Sequence, residues 1–473
     1  MHERILTTEN SISVDKENKM ADLIENGVHA ATEEKFYVEP KDPYIRERLE
    51  WFRDQKLALM MHFGPFSQLD VDCSWPLSDA DASWSRKEVD WESDPEVFRK
   101  QYFDLNKSFN PVRFQPDKWA EFAAENGFKY LIFTTKHHDG FCMFDTKYTD
   151  YKVTSPDCPF HTHKYANIVR EVFDAFRNKG IAIGAYFSKP DWHCPWYWAE
   201  GMEHPIGFDR NPTYWPPHYP EVWNKFTEFV HNQVMELIEE YGRIDILWLD
   251  GGQVNLANRQ DIKLTELIEK ARKVQPWLIS VDRLGGMAGG AENENYVTPE
   301  QKIPDHVIHA PWESCVTIGN KWIHGYNETY KTSRQLVLML IQTVSYGGNL
   351  ALNIGPQPDG RLPERALKEV AGLGSWLKVN GDAIYGTRAL EDPQSGNIYY
   401  TKKGDSVYAI MSLEEGEQLG ETVLIPLRGD VKKITCLGCE GELSFRKTED
   451  GALVVLPREI VGTNPYAVAF ELK

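Results

Sequence analysis

Nowhere in the 473 residues is there an apolar run of about 18, the length that a membrane-spanning helix needs. The opening stretch MHERILTTENSISVDKENKM also lacks the apolar centre of a signal peptide. The chain as it stands therefore reads as cytoplasmic, with a periplasmic or secreted location left open for a form whose leader has been removed. Positive charge is short as well: 52 Lys and Arg stand against 71 Asp and Glu, a net charge of -19. That balance argues against nucleic acid and against an anionic membrane surface as partners, because either needs a basic face. Cysteine is sparse, 7 in all and odd in number, so no disulfide framework is implied. Cys436 and Cys439 form a lone CxxC after the strand-like KKIT, a weak signal for redox chemistry or zinc.

Aromatic side chains, by contrast, are abundant: 12% of the chain, with 15 Trp. Trp75, Trp84, Trp91, Trp192, Trp196, Trp198, Trp215 and Trp223 fall in segments rich in Pro, Asp and Ser that read as long loops. Tryptophan in such loops suits stacking on the apolar faces of sugar rings, although loop anchoring is its commoner use.

Residues 1–44 are polar with weak periodicity and read as an N-terminal arm. From 45 to 385 strand-like runs (LALMMHFG, YLIFTTK, IAIGAYFS, RIDILWLDGG, WLISVDR, an extended HVIHAPWE, NLALNIGP) alternate with helix-period segments near 119–126, 168–179, 219–241, 264–274, 333–346 and 364–380. This alternation predicts βαβ units and a (β/α)8-like TIM barrel. Over 386–473 the texture changes to short alternating runs such as SVYAIMSL and YAVAFELK, which predict a C-terminal antiparallel β-sandwich.

Several barrel strands end in polar residues, at the end where α/β barrels do chemistry. His62 follows LALMM, His137 and His138 follow YLIFTTK, and Asp250 ends DILWLD, with Tyr186 and Arg283 on or after neighbouring strands. Taken singly, a histidine there is most often a structural hydrogen-bonding residue and Asp-Gly-Gly a turn. Four such endings in register point to a pocket. In a regular strand His137 and His138 cannot both face the barrel mouth, so either the strand has ended or one of them is structural.

With WFRDQKLALMMHFG, FNPVRF, KYLIFTTKHHDGFCMFDTKYTDY, GAYFS, DILWLDGG, PWESC, GYN and GGNLALNIGPQPDG in this order, residues 51–385 resemble the α-L-fucosidases of glycoside hydrolase family 29. The resemblance implies a retaining exo-acting hydrolase of terminal α-L-fucosyl linkages in glycans or glycoconjugates, without cofactor or metal, using Asp250 as nucleophile. It implies Glu313, in PWESC, as acid/base, with Glu292 and Glu294 of GGAENENY as alternatives, and His62, His137, His138, Tyr186, Trp248, Arg283, Trp75 and Trp84 as substrate-binding residues. Two departures from the family pattern stand out. Phe63 replaces the usual Trp after the first histidine, and Ser83 replaces a Glu often found before the second loop Trp. The aromatic segment 191–223 is longer than expected and is placed on the leaving-group side. Two other readings compete: a barrel that binds fucose without turning it over, and a metal-dependent hydrolase built on His161-Thr162-His163 with Asp139 and Cys158 nearby.

Overall fold

The computed structural model describes residues 34, 37–86, 94–202, 207–283 and 291–473. Most of the expected arm, and Trp91, lie outside them; Glu34 accepts a hydrogen bond from the Ala310 amide at 2.7 Å. Helix Pro43–Gln55 starts at Asp42, whose carboxylate caps the Tyr44 amide, with proline at its first position. It buries Ile45, Leu49 and Phe52 and leads into β1 (Leu57–Met61). β2 (Tyr130–Lys136), β3 (Ala182–Ser188), β4 (Ile246–Asp250), β5 (Ile279–Val281), β6 (Glu313–Thr317) and β7 (Asn349–Asn353) follow, almost wholly buried, as strands covered on both faces must be. They form one parallel sheet in the order β5-β4-β3-β2-β1-β7-β6.

An irregular segment closes the gap between β5 and β6. The Asn295 amide donates to Ser280 O, and residues 297–301 exchange backbone hydrogen bonds of 2.9–3.0 Å with 311–315. Pro299 lies in this stretch and gives no amide, which breaks the ladder and leaves isolated parallel bridges at Val297 and Glu300. Helices Pro116–Glu125, Ile168–Asn178, Pro220–Glu240, Leu264–Val274, Ser333–Ser345 and Glu364–Asn380 alternate with the strands, as the sequence predicts. One strand differs from expectation. HVIHAPWE leads into β6 without forming it, so Glu313 begins β6 where the reading of 306–313 as extended had made it the last residue.

The barrel interior holds Met60, Tyr130, Ile132, Tyr186, Trp248, Val281, Tyr296 and Cys315, with Phe52 packed among them. C-terminal to the barrel, β8 (Arg388–Ser395) to β15 (Ala467–Leu472) make a five-stranded and a three-stranded sheet, antiparallel throughout, over their own apolar core. The five-stranded sheet lies against the helical layer, where Trp376 Nε1 donates to Ala467 O at 2.8 Å. Among the described residues no helix is long and apolar enough to cross a membrane.

Gly184 shows how tightly β2 and β3 approach: a Cβ there would stand 2.6 Å from the Leu131 carbonyl oxygen. Overpacking of this kind costs about 1–3 kcal/mol. Gly184→Ala is therefore expected to lower the unfolding free energy obtained from urea titration by that amount; an unchanged value would show that the two strands separate freely.

Candidate active site

The carboxyl ends of the strands surround a pocket lined by Met60, His62, Cys73, Trp75, His137, His138, Arg210, Asp250, Gln253, Arg283, Glu300 and Trp322. Asp250, the last residue of β4, is at its centre, with its side chain 15% exposed. The next residue must be glycine: Gly251 has φ +89°, and a Cβ would fall 2.1 Å from Pro190 Cδ. Tyr186 donates its hydroxyl to Asp250 Oδ2, Arg283 Nη1 stands 3.5 Å from Oδ1, and His138 Nε2 is 3.8 Å from Oδ2. Burial works to raise the Asp250 pKa; Arg283, His138, Tyr186 and the Gly251 amide outweigh it and hold it down at about 2. The carboxylate is thus ionised across the ordinary working range.

Both adjacent histidines line the pocket. β2 ends at Lys136 and its pairing with β3 slips between Thr134 and Lys136, which frees the next two residues from strict alternation. Each imidazole is held from behind through Nδ1: His62 by Asn353 Oδ1 at 2.8 Å, His137 by Ser74 Oγ at 2.5 Å, and His138 by Ser188 Oγ. An amide oxygen can only accept, so His62 Nδ1 carries the proton and its Nε2 presents a lone pair. Burial pushes His62 and His138 down to about 4 and His137 well below the usual value. These rings are neutral, suited to hydrogen bonding with hydroxyls.

Arg283 follows β5 with φ +62°, a left-handed conformation uncommon for arginine. The strain has a compensating interaction. Its Nη1 faces Asp250 while Nη2 pairs with Glu300, which ends the closing segment and keeps 19% of its side chain exposed. One planar fork therefore holds two carboxylates in one pocket.

The proposed acid/base residues lie elsewhere. Glu313 begins β6, at the end of the parallel strands opposite to Asp250, and is fully buried. It accepts hydrogen bonds from Tyr130, from Trp248 Nε1 at 3.1 Å and from Tyr296 at 3.4 Å. Glu292 is exposed near Thr265. Glu294 is buried, accepting from the Asp282 amide at 3.2 Å. None of the three lines the pocket.

Tyr186 and Trp248 are buried beneath it, their rings stacked at 5.2 Å. Trp84, 45% exposed, stands 6.3 Å from Trp75 and outside the lining. Trp192 and Trp198 stack on each other at 5.2 Å and, with Tyr197, Tyr214 and Trp223, are buried in the main hydrophobic core, while Arg210 of the same stretch lines the pocket. Asp81 clamps Arg210 through Nε at 3.1 Å and through Nη2.

Sequence reasoning missed Glu300, Arg210, Trp322, Gln253 and Cys73. The signal available for Glu300 was the alternating run YVTPE, which ends on a carboxylate at a strand terminus like Asp250.

Among the described residues two groups could offer a metal three donor atoms within 4.8 Å of one another, His62, Cys73 and His137, and His137, His138 and Asp250; both lie inside this pocket. His161 and His163 join neither. His161 Nδ1 bonds to Cys158 O at 2.8 Å, and His163 Nδ1 accepts from the Tyr165 amide at 3.2 Å.

The chain matches the family model described as Alpha-L-fucosidase over residues 24–382. It belongs to the α-L-fucosidase family. Among solved structures, α-L-fucosidase isoenzyme 1 from Paenibacillus thiaminolyticus superposes with a TM-score of 0.75 at 30% identity, covering 91% of this chain and 99% of that one. The Thermotoga maritima α-fucosidase gives 0.71 at 26% identity, covering 92% and 100%. It has also been solved with fucose and with a mechanism-based inhibitor. The human tissue α-L-fucosidase is 27% identical over 444 residues, 89% of this chain and 88% of its own length. The chain is accordingly a glycoside hydrolase of this family, with the barrel and appended β-sandwich expected of it.

Removing the guanidinium should release Asp250 from its low pKa. In Arg283→Met the carboxylate takes up its proton at higher pH, so the acid limb of kcat/KM is expected to move upward, with kcat falling at least tenfold. An acid limb that stays in place would show that Arg283 does not set the charge state of Asp250.

Proposed function

We propose that this α-L-fucosidase is a retaining exo-hydrolase in which Asp250 is the nucleophile and Glu300 the acid/base, acting on terminal α-L-fucosyl groups of glycans or glycoconjugates. The observation that carries the assignment is the Arg283 fork, which joins Asp250 to the one glutamate that lines the pocket among the described residues. In retaining hydrolases the two carboxyl groups stand about 5–5.5 Å apart across the scissile bond, a spacing that a shared guanidinium suits. The fucose and mechanism-based-inhibitor complexes of the Thermotoga maritima relative support the substrate class and the covalent route.

Asp250, kept ionised, attacks the anomeric carbon while Glu300 gives its proton to the departing glycosidic oxygen. The resulting fucosyl ester is opened by water, whose proton Glu300 takes back. His62, His137 and His138, neutral and oriented from behind, bind the sugar hydroxyls. Trp75, Trp322 and Met60 supply apolar surface for the ring and the deoxy methyl. Tyr186 holds the nucleophile without reaching the sugar, and Trp248 supports it from below. Arg210 and Gln253 line the mouth, where the leaving group must pass.

The roles separate by leaving group. Glu300→Gln is expected to lower kcat/KM for natural fucosides by at least 100-fold and for 4-nitrophenyl α-L-fucoside far less, because only the former need protonation. Azide should restore turnover of the aryl substrate. Asp250→Asn should abolish turnover of both. Equal losses on both substrates in Glu300→Gln would remove it from the proton-transfer role.

A further inference from the structure

Beneath the pocket is a buried carboxyl that the mechanism above does not use. Glu313 stands on the barrel floor, its Oε1 accepting from Trp248 Nε1 at 3.1 Å and from the Tyr296 hydroxyl at 3.4 Å, its Oε2 from Tyr130. The donors are themselves fixed. Phe52 stacks on Tyr296 at 4.2 Å and meets Tyr130 edge-on at 5.8 Å, and Asn349 Nδ2 donates to the Tyr130 oxygen at 3.3 Å.

The Trp248 indole is the link upward. Its ring stacks against Tyr186 with an interplanar angle of 21°, and the Arg283 guanidinium carbon is 4.7 Å from its centroid. Tyr186 bonds Asp250, and Arg283 pairs with both Asp250 and Glu300. The two groups that hold Asp250, one of which also holds Glu300, thus rest on one ring, whose single polar atom is tied to Glu313. An indole free to turn about its χ angles would shift both supports together, and such groups must be held closely for efficient attack.

We infer that Glu313 is a positioning residue for the reaction: by fixing the Trp248 indole it aligns Tyr186 and Arg283, and through them the nucleophile and the acid/base. This rests on the assignment of Asp250 and Glu300 above. Glu313 reaches neither the sugar pocket nor the proton that the leaving group needs.

The test uses Glu313→Gln, Trp248→Phe and the double variant. Each is assayed on 4-nitrophenyl and on methyl α-L-fucoside across pH, with urea midpoints alongside. Phenylalanine keeps a ring under Tyr186 and Arg283 but has no N–H for Glu313. Each single variant is expected to lose up to about 100-fold in kcat, by the same factor on both substrates and with little change in KM. The acid limb of kcat/KM should move upward as Arg283 and Tyr186 loosen their hold on Asp250, whose third partner, His138, is held separately by Ser188. The double variant should be no slower than the slower single one, because both break the same link.

Multiplying losses, or a lowered urea midpoint with kcat and the acid limb unchanged, would overturn the inference. So would a loss in Glu313→Gln confined to methyl fucoside and rescued by azide, which would make Glu313 the acid itself. If Glu313→Gln does not fold, the kcat and pH profile of Trp248→Phe decide alone. Failure of the Asp250 and Glu300 assignment would show separately, in variants of those two residues.

Discussion

The Arg283 guanidinium, lying between Asp250 and Glu300, is the interaction on which the rest of the site depends. A planar cation with donors on two edges holds both carboxyl groups in one fixed geometry, which a lysine point charge would not. It also accounts for a backbone angle that a side chain of this size rarely adopts: the strained turn after β5 is the conformation that brings the fork to both partners.

Around this fork the site is built in layers of different polarity. The pocket-facing layer includes three imidazoles kept neutral by burial and oriented by Asn353, Ser74 and Ser188. Below it lie the aromatic rings of Tyr186 and Trp248, and below those Glu313 with its three donors. The pocket occupies the carboxyl ends of the strands, and Glu313 with its donors the amino ends.

Much of this was legible in the sequence. The strands are buried on both faces and read as continuous apolar runs, and the polar residues that end them, His62, His137, His138 and Asp250, do converge. The misplacement of Glu313 has a definite cause. It rested on the resemblance of PWESC to the family motif alone, which carries no position in the barrel, and the structure sets this residue at the start of β6, on the floor. Glu300 was hidden for another reason. Its segment contains Pro299, pairs through isolated bridges, and lacks the length of a strand, yet it closes the barrel. The loop tryptophans were ambiguous in composition alone: Trp75 faces the pocket, whereas Trp192, Trp198 and Trp223 are buried.

Proton NMR of the first product formed from 4-nitrophenyl α-L-fucoside, taken before mutarotation, tests the central claim most directly. Two carboxyl groups held on one guanidinium fit the close pair of a retaining enzyme, and so predict α-L-fucose as the initial anomer. Initial release of the β anomer would mean direct attack by water and a wider pair, and would contradict the account.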